Sequence, residues 1–215
     1  MNPREQEIEV KFYVRDLAKV ERTLQKLNAT LAQKRALETN LRFDTPETSL
    51  GRYRRVLRLR RPAPGHSPDE PQGLLTYKGP TQSGQAISIR QEIEVVVSDF
   101  ETARHLLEAL GYQMVVMYEK WRTVYRIGQV DIDLDETPMG SFIEVEGPNT
   151  ASIQEVALML GLDWEASSGE SYMALFNRVR LARGLSVQNL SFAELQGVEV
   201  TPQDMGLRPA DDRYI

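Results

Sequence analysis

Apolar and polar side chains alternate with a period of two from Gln6 to Tyr13, Val56 to Arg60, Leu74 to Lys78, Ile89 to Val97, Val115 to Arg126, Gln129 to Leu134 and Phe142 to Glu146. Such alternation sets one face of each strand against an apolar core and predicts an antiparallel, strand-rich fold. Between these strands the period lengthens to that of an amphipathic helix. Leu17, Val20, Leu24 and Leu27 share a face from Asp16 to about Leu31, and Phe100, Ala103, Leu107 and Leu110 share one from Ser98 to Leu110. Ser98 and Glu101 have the spacing of a capping box, and Gly111 stands where the second helix can end in a left-handed conformation. Two more helices are expected, from Thr150 to Leu160 before Gly161 and from Ser171 to about Arg183 before Gly184.

Pro62, Pro64, Pro68 and Pro71 keep the segment Arg61 to Gly73 out of a regular ladder, so a mobile loop, in part disordered, is expected there. Glu7-Ile8-Glu9-Val10 recurs as Glu92-Ile93-Glu94-Val95, and each copy precedes an Asp-bearing helix start and another strand. This echo predicts a chain built from two β-α-β-β halves. Residues 1–184 are expected to form one domain. Residues 185–215 carry little periodicity beyond a short helix near Ser191 to Leu195, and read as a C-terminal extension packed on the domain or trailing from it.

Composition narrows the chemistry. A chain of 215 residues with 41% hydrophobic and 27% charged side chains is an ordinary globular domain. Cysteine is absent and there are two histidines, so disulfides, thiolate nucleophiles and Cys-based zinc sites are excluded, and any divalent metal must be held by oxygen. A net charge of −5 argues against broad nucleic-acid binding. No apolar run is long enough for a membrane span, and the polar, acidic N-terminus is unlike a signal peptide, which makes the cytoplasm the expected location. Glycine-rich phosphate loops and a Gly-x-Ser-x-Gly elbow are missing, so a nucleotide fold built on helix N-termini and covalent serine catalysis are both disfavoured.

The polar faces of the strands carry both signs of charge. Lys11, Arg58, Arg60, Lys78, Arg90, Lys120 and Arg122 are the cations; Glu7, Glu9, Glu92, Glu94, Asp131, Asp133, Glu144 and Glu146 are the anions. On one strand this would be a solvated face. Helices with apolar stripes must cover the apolar faces, however, so in a closed sheet the charged faces would all turn to the lumen. Guanidinium and ammonium groups suit phosphate oxygens, and clustered carboxylates suit Mg²⁺ or Mn²⁺. The mixture therefore points to a compact polyphosphate that arrives with a divalent cation.

The run Glu7-x-Glu9-x-Lys11 resembles the signature of the CYTH superfamily, which is named for class IV adenylate cyclases and thiamine triphosphatases. Leu57-Arg58-Leu59-Arg60, Leu75-Thr76-Tyr77-Lys78-Gly79, Arg90-x-Glu92-x-Glu94, Glu119-Lys120-x-Arg122, Asp131-Ile132-Asp133 and Gly140-x-Phe142-Ile143-Glu144-Val145-Glu146-Gly147 follow in the same order, so the similarity runs from about residue 5 to 183. The resemblance implies an α+β fold: an eight-stranded antiparallel β-barrel, the triphosphate tunnel, with flanking helices. It also implies that Lys11, Arg58, Arg60, Lys78, Lys120 and Arg122 bind the triphosphate. Glu7, Glu9, Glu92, Glu94, Asp133, Glu144 and Glu146 are then the expected metal ligands or their supports, and Arg90 partners these acids. Tyr77 and Trp121 are expected to pack outward against helices. Asn40-Leu41-Arg42-Phe43-Asp44 departs from the Asp-x-Tyr-Phe-Asp of many relatives, which puts Arg42 near the mouth as an extra anion contact.

The function implied by the resemblance is metal-dependent hydrolysis of tripolyphosphate, thiamine triphosphate or a nucleoside triphosphate, with Mg²⁺ or Mn²⁺ as cofactor. Lys11, with a lowered pKa among other cations, and Glu9 are the expected catalytic residues. The alternatives are a class IV adenylate cyclase forming cyclic AMP and pyrophosphate, and a non-catalytic polyphosphate or nucleotide sensor. The expected partner is a small triphosphate rather than nucleic acid or a membrane, with a homodimer as an allowed assembly.

Overall fold

The computed structural model describes residues 6–61, 73–81 and 87–212. The proline-rich loop expected between the third and fourth strands lies almost wholly outside the described residues. The elements run β1 (Gln6–Val14), α1 (Leu17–Lys26), β2 (Thr30–Asp44), α2 (Ser49–Arg52), β3 (Val56–Arg61), β4 (Gly73–Lys78), β5 (Ser88–Val97), α3 (Phe100–Ala109), β6 (Gln113–Ile127), β7 (Val130–Thr137), β8 (Gly140–Glu146), α4 (Thr150–Met159), β9 (Ser167–Ser168) and α5 (Tyr172–Arg183).

All pairings of the sheet are antiparallel, in the order β5-β4-β3-β2-β6-β7-β8-β1-β9, and β5 also pairs with β1, so eight strands close on themselves. The ninth, two residues long, lies along β1 opposite Lys11 and Phe12. Exchanging β1–β4 with β5–β8 maps this pairing pattern onto itself, and the repeated Glu-Ile-Glu-Val sits on the equivalent strands β1 and β5. The eight-stranded architecture expected from the sequence is thus observed as a ring of strands with flanking helices.

The outer surface of the ring is apolar because the helices cover it. Val10, Phe12, Ile132, Leu134, Ile143 and Val145 pack under α1 and α4, which contribute Val20, Leu24, Ile153 and Val156. Leu41, Phe43 and Leu59 meet Phe100 and Leu107 of α3. On the inward parity shared with Lys120 and Glu144, by contrast, Tyr118 and Phe142 meet Tyr172, Leu175 and Phe176 of α5 and Leu190, Leu195 and Met205 beyond it. Each fully buried Leu, Ile or Phe stabilises the fold by roughly 1.5–3 kcal/mol, and parity then forces alternate side chains into the ring.

Several local expectations need correction. The first helix stops near Lys26, not Leu31: Asn28 is left-handed at φ 56°, and the chain then becomes β2, a strand that the sequence reading missed. Helix α3 is capped by Asp99, which accepts the Thr102 amide at 2.5 Å, instead of by Ser98. Gly111, Gly161 and Gly184 are left-handed as expected. The stretch 191–195 is a series of turns and not a helix. The C-terminal extension packs on the ring: the Ala210 amide donates to Tyr13 O at 2.8 Å, and Asp211 accepts the amides of Arg15 and Asp16 at 3.0 Å. Trp121 lies under Arg35, whose guanidinium is 4.0 Å from the ring centroid, rather than under a helix. Among the described residues no helix is long and apolar enough to cross a membrane.

Candidate functional site

The strand positions that alternate with the outer core turn their side chains into a central cavity of about 190 Å³. Its walls hold Lys11, Arg58, Arg60, Lys78, Lys120 and Arg122, the acids Glu7, Glu9, Glu92, Glu94, Asp133, Glu144 and Glu146, and Arg42 and Arg90. Every residue given a triphosphate- or metal-binding role from the sequence therefore reaches it. Asp131, counted there among the converging acids, does not. It shares their parity but lies at the far end of β7, where it pairs with Arg126 on the exposed rim at 2.6 Å.

The ring order sorts the charges. Arg42, Arg58, Arg60, Lys120 and Arg122 come from the neighbouring strands β2, β3 and β6; Glu7, Glu9, Glu92, Glu94, Glu144 and Glu146 come from β1, β5 and β8, on the opposite side of the ring. Buried ion pairs run both within and between these groups of strands, and Lys11 and Arg90 put positive charge among the carboxylates of β1, β5 and β8. Lys11 bonds Glu144, and Arg122 bonds Asp133, Asp135 and Glu144. Lys78 Nζ reaches Glu7 at 2.5 Å and Glu92 at 3.2 Å, while Arg90 holds Glu7 at 2.9 Å and Glu9 at 3.3 Å, the partnership expected for it. Arg58 reaches Glu94 at 3.5 Å and Thr76 at 3.1 Å, yet its buried Nε finds no partner among the described residues. A buried guanidinium donor without a partner is costly, and Arg58 lines the cavity where an anion could be accommodated.

Two groups report the local potential. Burial alone would raise the Tyr118 phenol, but Arg58, Arg60 and Lys120 bring it down to about 8. Burial raises Glu146 in the same way, and here Glu7, Glu9 and Glu92 add to it and push the carboxyl up to about 8, although its residue surface is open at the rim. Lys11 differs from expectation. Its burial favours the neutral amine, but Glu144 and Glu9 outweigh that and hold its pKa above the ordinary value, so it is a firmly charged ammonium.

Four contributors went unmarked in the sequence. Asp135 is wholly buried and gathers Lys120 at 2.7 Å, Arg122 and the Tyr172 hydroxyl at 2.7 Å. It continues the Asp131, Asp133 alternation, which was the available signal. Glu38, on the missed β2, braces Arg60 at 3.3 Å, and the surrounding cations bring it down to about 2 against the opposing effect of burial. Tyr172, at the start of α5, lies 4.5 Å from Lys11 Nζ and 5.1 Å from Lys120 Nζ across its ring. Tyr118 lines the basic wall.

Among the described residues no three acidic or histidine side chains stand close enough to bind a metal as they are, because Glu7, Glu9, Glu92 and Glu144 are engaged by cations. Glu146 has no ion-pair partner among them and is crowded by like charges. Its carboxylate, an oxygen donor without a cation, is chemically suited to a hard divalent cation.

The family described as the CYTH domain matches residues 5–157. A Methanocaldococcus jannaschii protein named "putative adenylate cyclase" is 28% identical over 141 residues, which is 65% of this chain and 75% of that protein. A Vibrio parahaemolyticus structure with the same name has a TM-score of 0.70 at 19% identity, covering 80% of this chain and 98% of the other. A Hippeastrum structure, described as a putative adenylyl cyclase with a dominant triphosphatase activity, has a TM-score of 0.57 at 19% identity and covers 80% and 95% of the two chains. At that identity the two structures speak for the fold, a mostly antiparallel ring of strands flanked by helices.

Proposed function

The chain belongs to the CYTH domain family, and from that premise we propose that it is a divalent-metal-dependent phosphohydrolase acting on a triphosphate held in the ring's cavity. The substrate class is inorganic tripolyphosphate, thiamine triphosphate or a nucleoside triphosphate. The observation that carries this reading is the uneven distribution of charge: most cations come from β2, β3 and β6 and most carboxylates from β1, β5 and β8, with Lys11 and Arg90 among the latter and Glu38 among the former. An anion alone would leave the carboxylates repelling one another, and a metal alone would leave the cations unsatisfied.

Arg58, Arg60, Lys78, Lys120 and Arg122 bind and orient the phosphate chain, the guanidinium groups bidentately and the ammonium groups as point charges. Lys11 adds a fixed positive charge from the acidic wall. A divalent cation, Mg²⁺ or Mn²⁺, held by Glu9, Glu144 and Glu146 with Glu7, Glu92, Glu94 and Asp133 around it, would withdraw charge from a phosphoryl oxygen. In hydrolysis a water oxygen bonds to the terminal phosphorus, the bridging P–O bond breaks, and orthophosphate and the shortened phosphate chain leave with one proton released. The basic wall stabilises the charge that grows on the leaving oxygen. Because Lys11 is held as an ammonium, it cannot take the water's proton, which passes to a carboxylate of the acidic wall that does not hold the metal.

The name of the archaeal relative supports a second reading, in which the ribose 3′-hydroxyl of ATP attacks the α-phosphoryl group to give cyclic AMP and pyrophosphate. The cavity lining favours hydrolysis, since among the described residues charged side chains outnumber the apolar or aromatic Val56, Tyr118, Tyr172 and Met173. Purified protein with Mg²⁺ or Mn²⁺ and, separately, tripolyphosphate, thiamine triphosphate and ATP is expected to release phosphate without cyclic AMP. Cyclic AMP from ATP would replace this reading with the cyclase, and tight binding without turnover would replace it with a sensor.

A further inference from the structure

Tyr118 is a buried phenol on the basic wall, and its hydroxyl has one hydrogen-bond partner among the described residues, Arg58 Nη1 at 3.4 Å. In that contact Arg58 donates, so among the described residues nothing accepts the phenol's own proton. A buried O–H whose donor is unused and which borders a cavity is costly unless a water or a ligand in that cavity accepts from it, and a phosphate oxygen is the stronger acceptor. The backbone around it is held firmly. This part of β6 extends past the end of β7's pairing, and the C-terminal segment takes β7's place: the Glu119 amide donates to Leu190 O at 2.9 Å, the Leu190 amide to Met117 O at 3.0 Å, and the Met117 amide to Asn189 Oδ1 at 2.9 Å. Leu190 is fully buried against the same cluster as the Tyr118 ring. Residues beyond the family match thereby fix the direction of a side chain inside the site.

We propose that Tyr118 is a substrate-binding residue that donates its hydroxyl proton to a phosphate oxygen of the triphosphate gathered by Arg58, Arg60 and Lys120. This rests on the triphosphate reading of the cavity and adds to it a neutral donor set among permanent cations. The charged groups that face the phenol are Arg58 and Arg60 from β3, Arg42 from β2 and Lys120 from its own strand, with Asn40 opposite it in register and apolar Leu190 behind. These cations bring the phenol down to about 8, whereas Tyr13, Tyr125 and Tyr172 move upward, so Tyr118 ionises apart from them. Above that pH the donor becomes an anion that repels phosphate. A bound triphosphate must in turn favour the protonated phenol, since binding and ionisation are linked.

The test is calorimetric titration of the full chain with metal-free tripolyphosphate from about pH 7 to about pH 9, for wild type and Tyr118→Phe, with the phenolate absorbance followed in parallel. Wild type should bind more weakly as pH passes about 8, and adding tripolyphosphate at high pH should reduce its phenolate band. Tyr118→Phe should bind about ten- to a hundredfold more weakly at low pH and show a smaller pH-dependent loss, the remainder coming from Glu146, which loses its proton over the same window. Because the substitution keeps the ring, its thermal unfolding should match wild type, and the wild-type phenolate signal needs no variant. Equal affinity and equal pH profiles for the two proteins, or an unchanged phenolate band while wild type binds, would overturn the proposal and leave the triphosphate reading standing. No binding by wild type at any pH would overturn both.

Discussion

The wall formed by β2, β3 and β6 and the wall formed by β1, β5 and β8 are built from similar alternating strands, yet they hold opposite potentials. Tyr118 on the first and Glu146 on the second both titrate near 8, one driven down by Arg58, Arg60 and Lys120 and the other driven up by Glu7, Glu9 and Glu92 together with burial. Where the walls meet, Lys11, Arg122, Glu144 and Asp135 neutralise each other in a buried knot. That knot supports structure, while the unneutralised rims on either side are where ligands gain.

The largest effect is expected from cutting the knot. Arg122→Ala strips Asp133, Asp135 and Glu144 of a shared partner and should cost on the order of 3–5 kcal/mol in denaturant unfolding. Arg58→Ala on the basic wall should weaken tripolyphosphate binding by about two orders of magnitude, roughly 2–3 kcal/mol, read by calorimetry. Arg58→Lys should recover only part of this, because the ammonium is not bidentate.

On the acidic wall the effect is smaller and opposite in sign. The folded Glu146 carboxyl is raised from 4.5 to about 8, so the folded state holds a proton that the unfolded state has lost between those values. Stability must then fall as pH rises through this window. Glu146→Gln should flatten that slope and stabilise the metal-free protein near pH 8 by about 1 kcal/mol, the full linkage being reduced by solvent at the open rim. Arg126→Ala, which breaks the exposed, solvent-screened pair with Asp131, should leave both the unfolding midpoint and tripolyphosphate affinity close to wild type.

The face to which each charge points was legible because parity along a strand is a local property. From Glu7, Glu9 and Lys11 to Glu144 and Glu146, every candidate site residue lines the cavity. Height along the ring was not legible, since it depends on pairing register. Hence Asp131 was placed inside and Asp135, four residues on in the same alternation, was overlooked. Strand β2 was hidden by irregularity: register shifts between Leu31 and Gln33 and between Gln33 and Ala36 break the period, and its inward Glu38, Asn40 and Arg42 follow a helix-like stretch. The role of Leu190 was also beyond reach, because one bridge to Tyr118 from a segment without periodicity leaves no pattern.

Thermal unfolding with tripolyphosphate alone and with Mn²⁺ alone, across wild type, Arg58→Ala and Glu146→Gln, examines both walls in one experiment. Wild type should be stabilised by either ligand, Arg58→Ala should lose the response to tripolyphosphate but keep that to Mn²⁺, and Glu146→Gln should do the reverse. Stabilisation by tripolyphosphate that survives Arg58→Ala undiminished, or no stabilisation of wild type by either ligand, would contradict a cavity with one wall for phosphates and one for a metal.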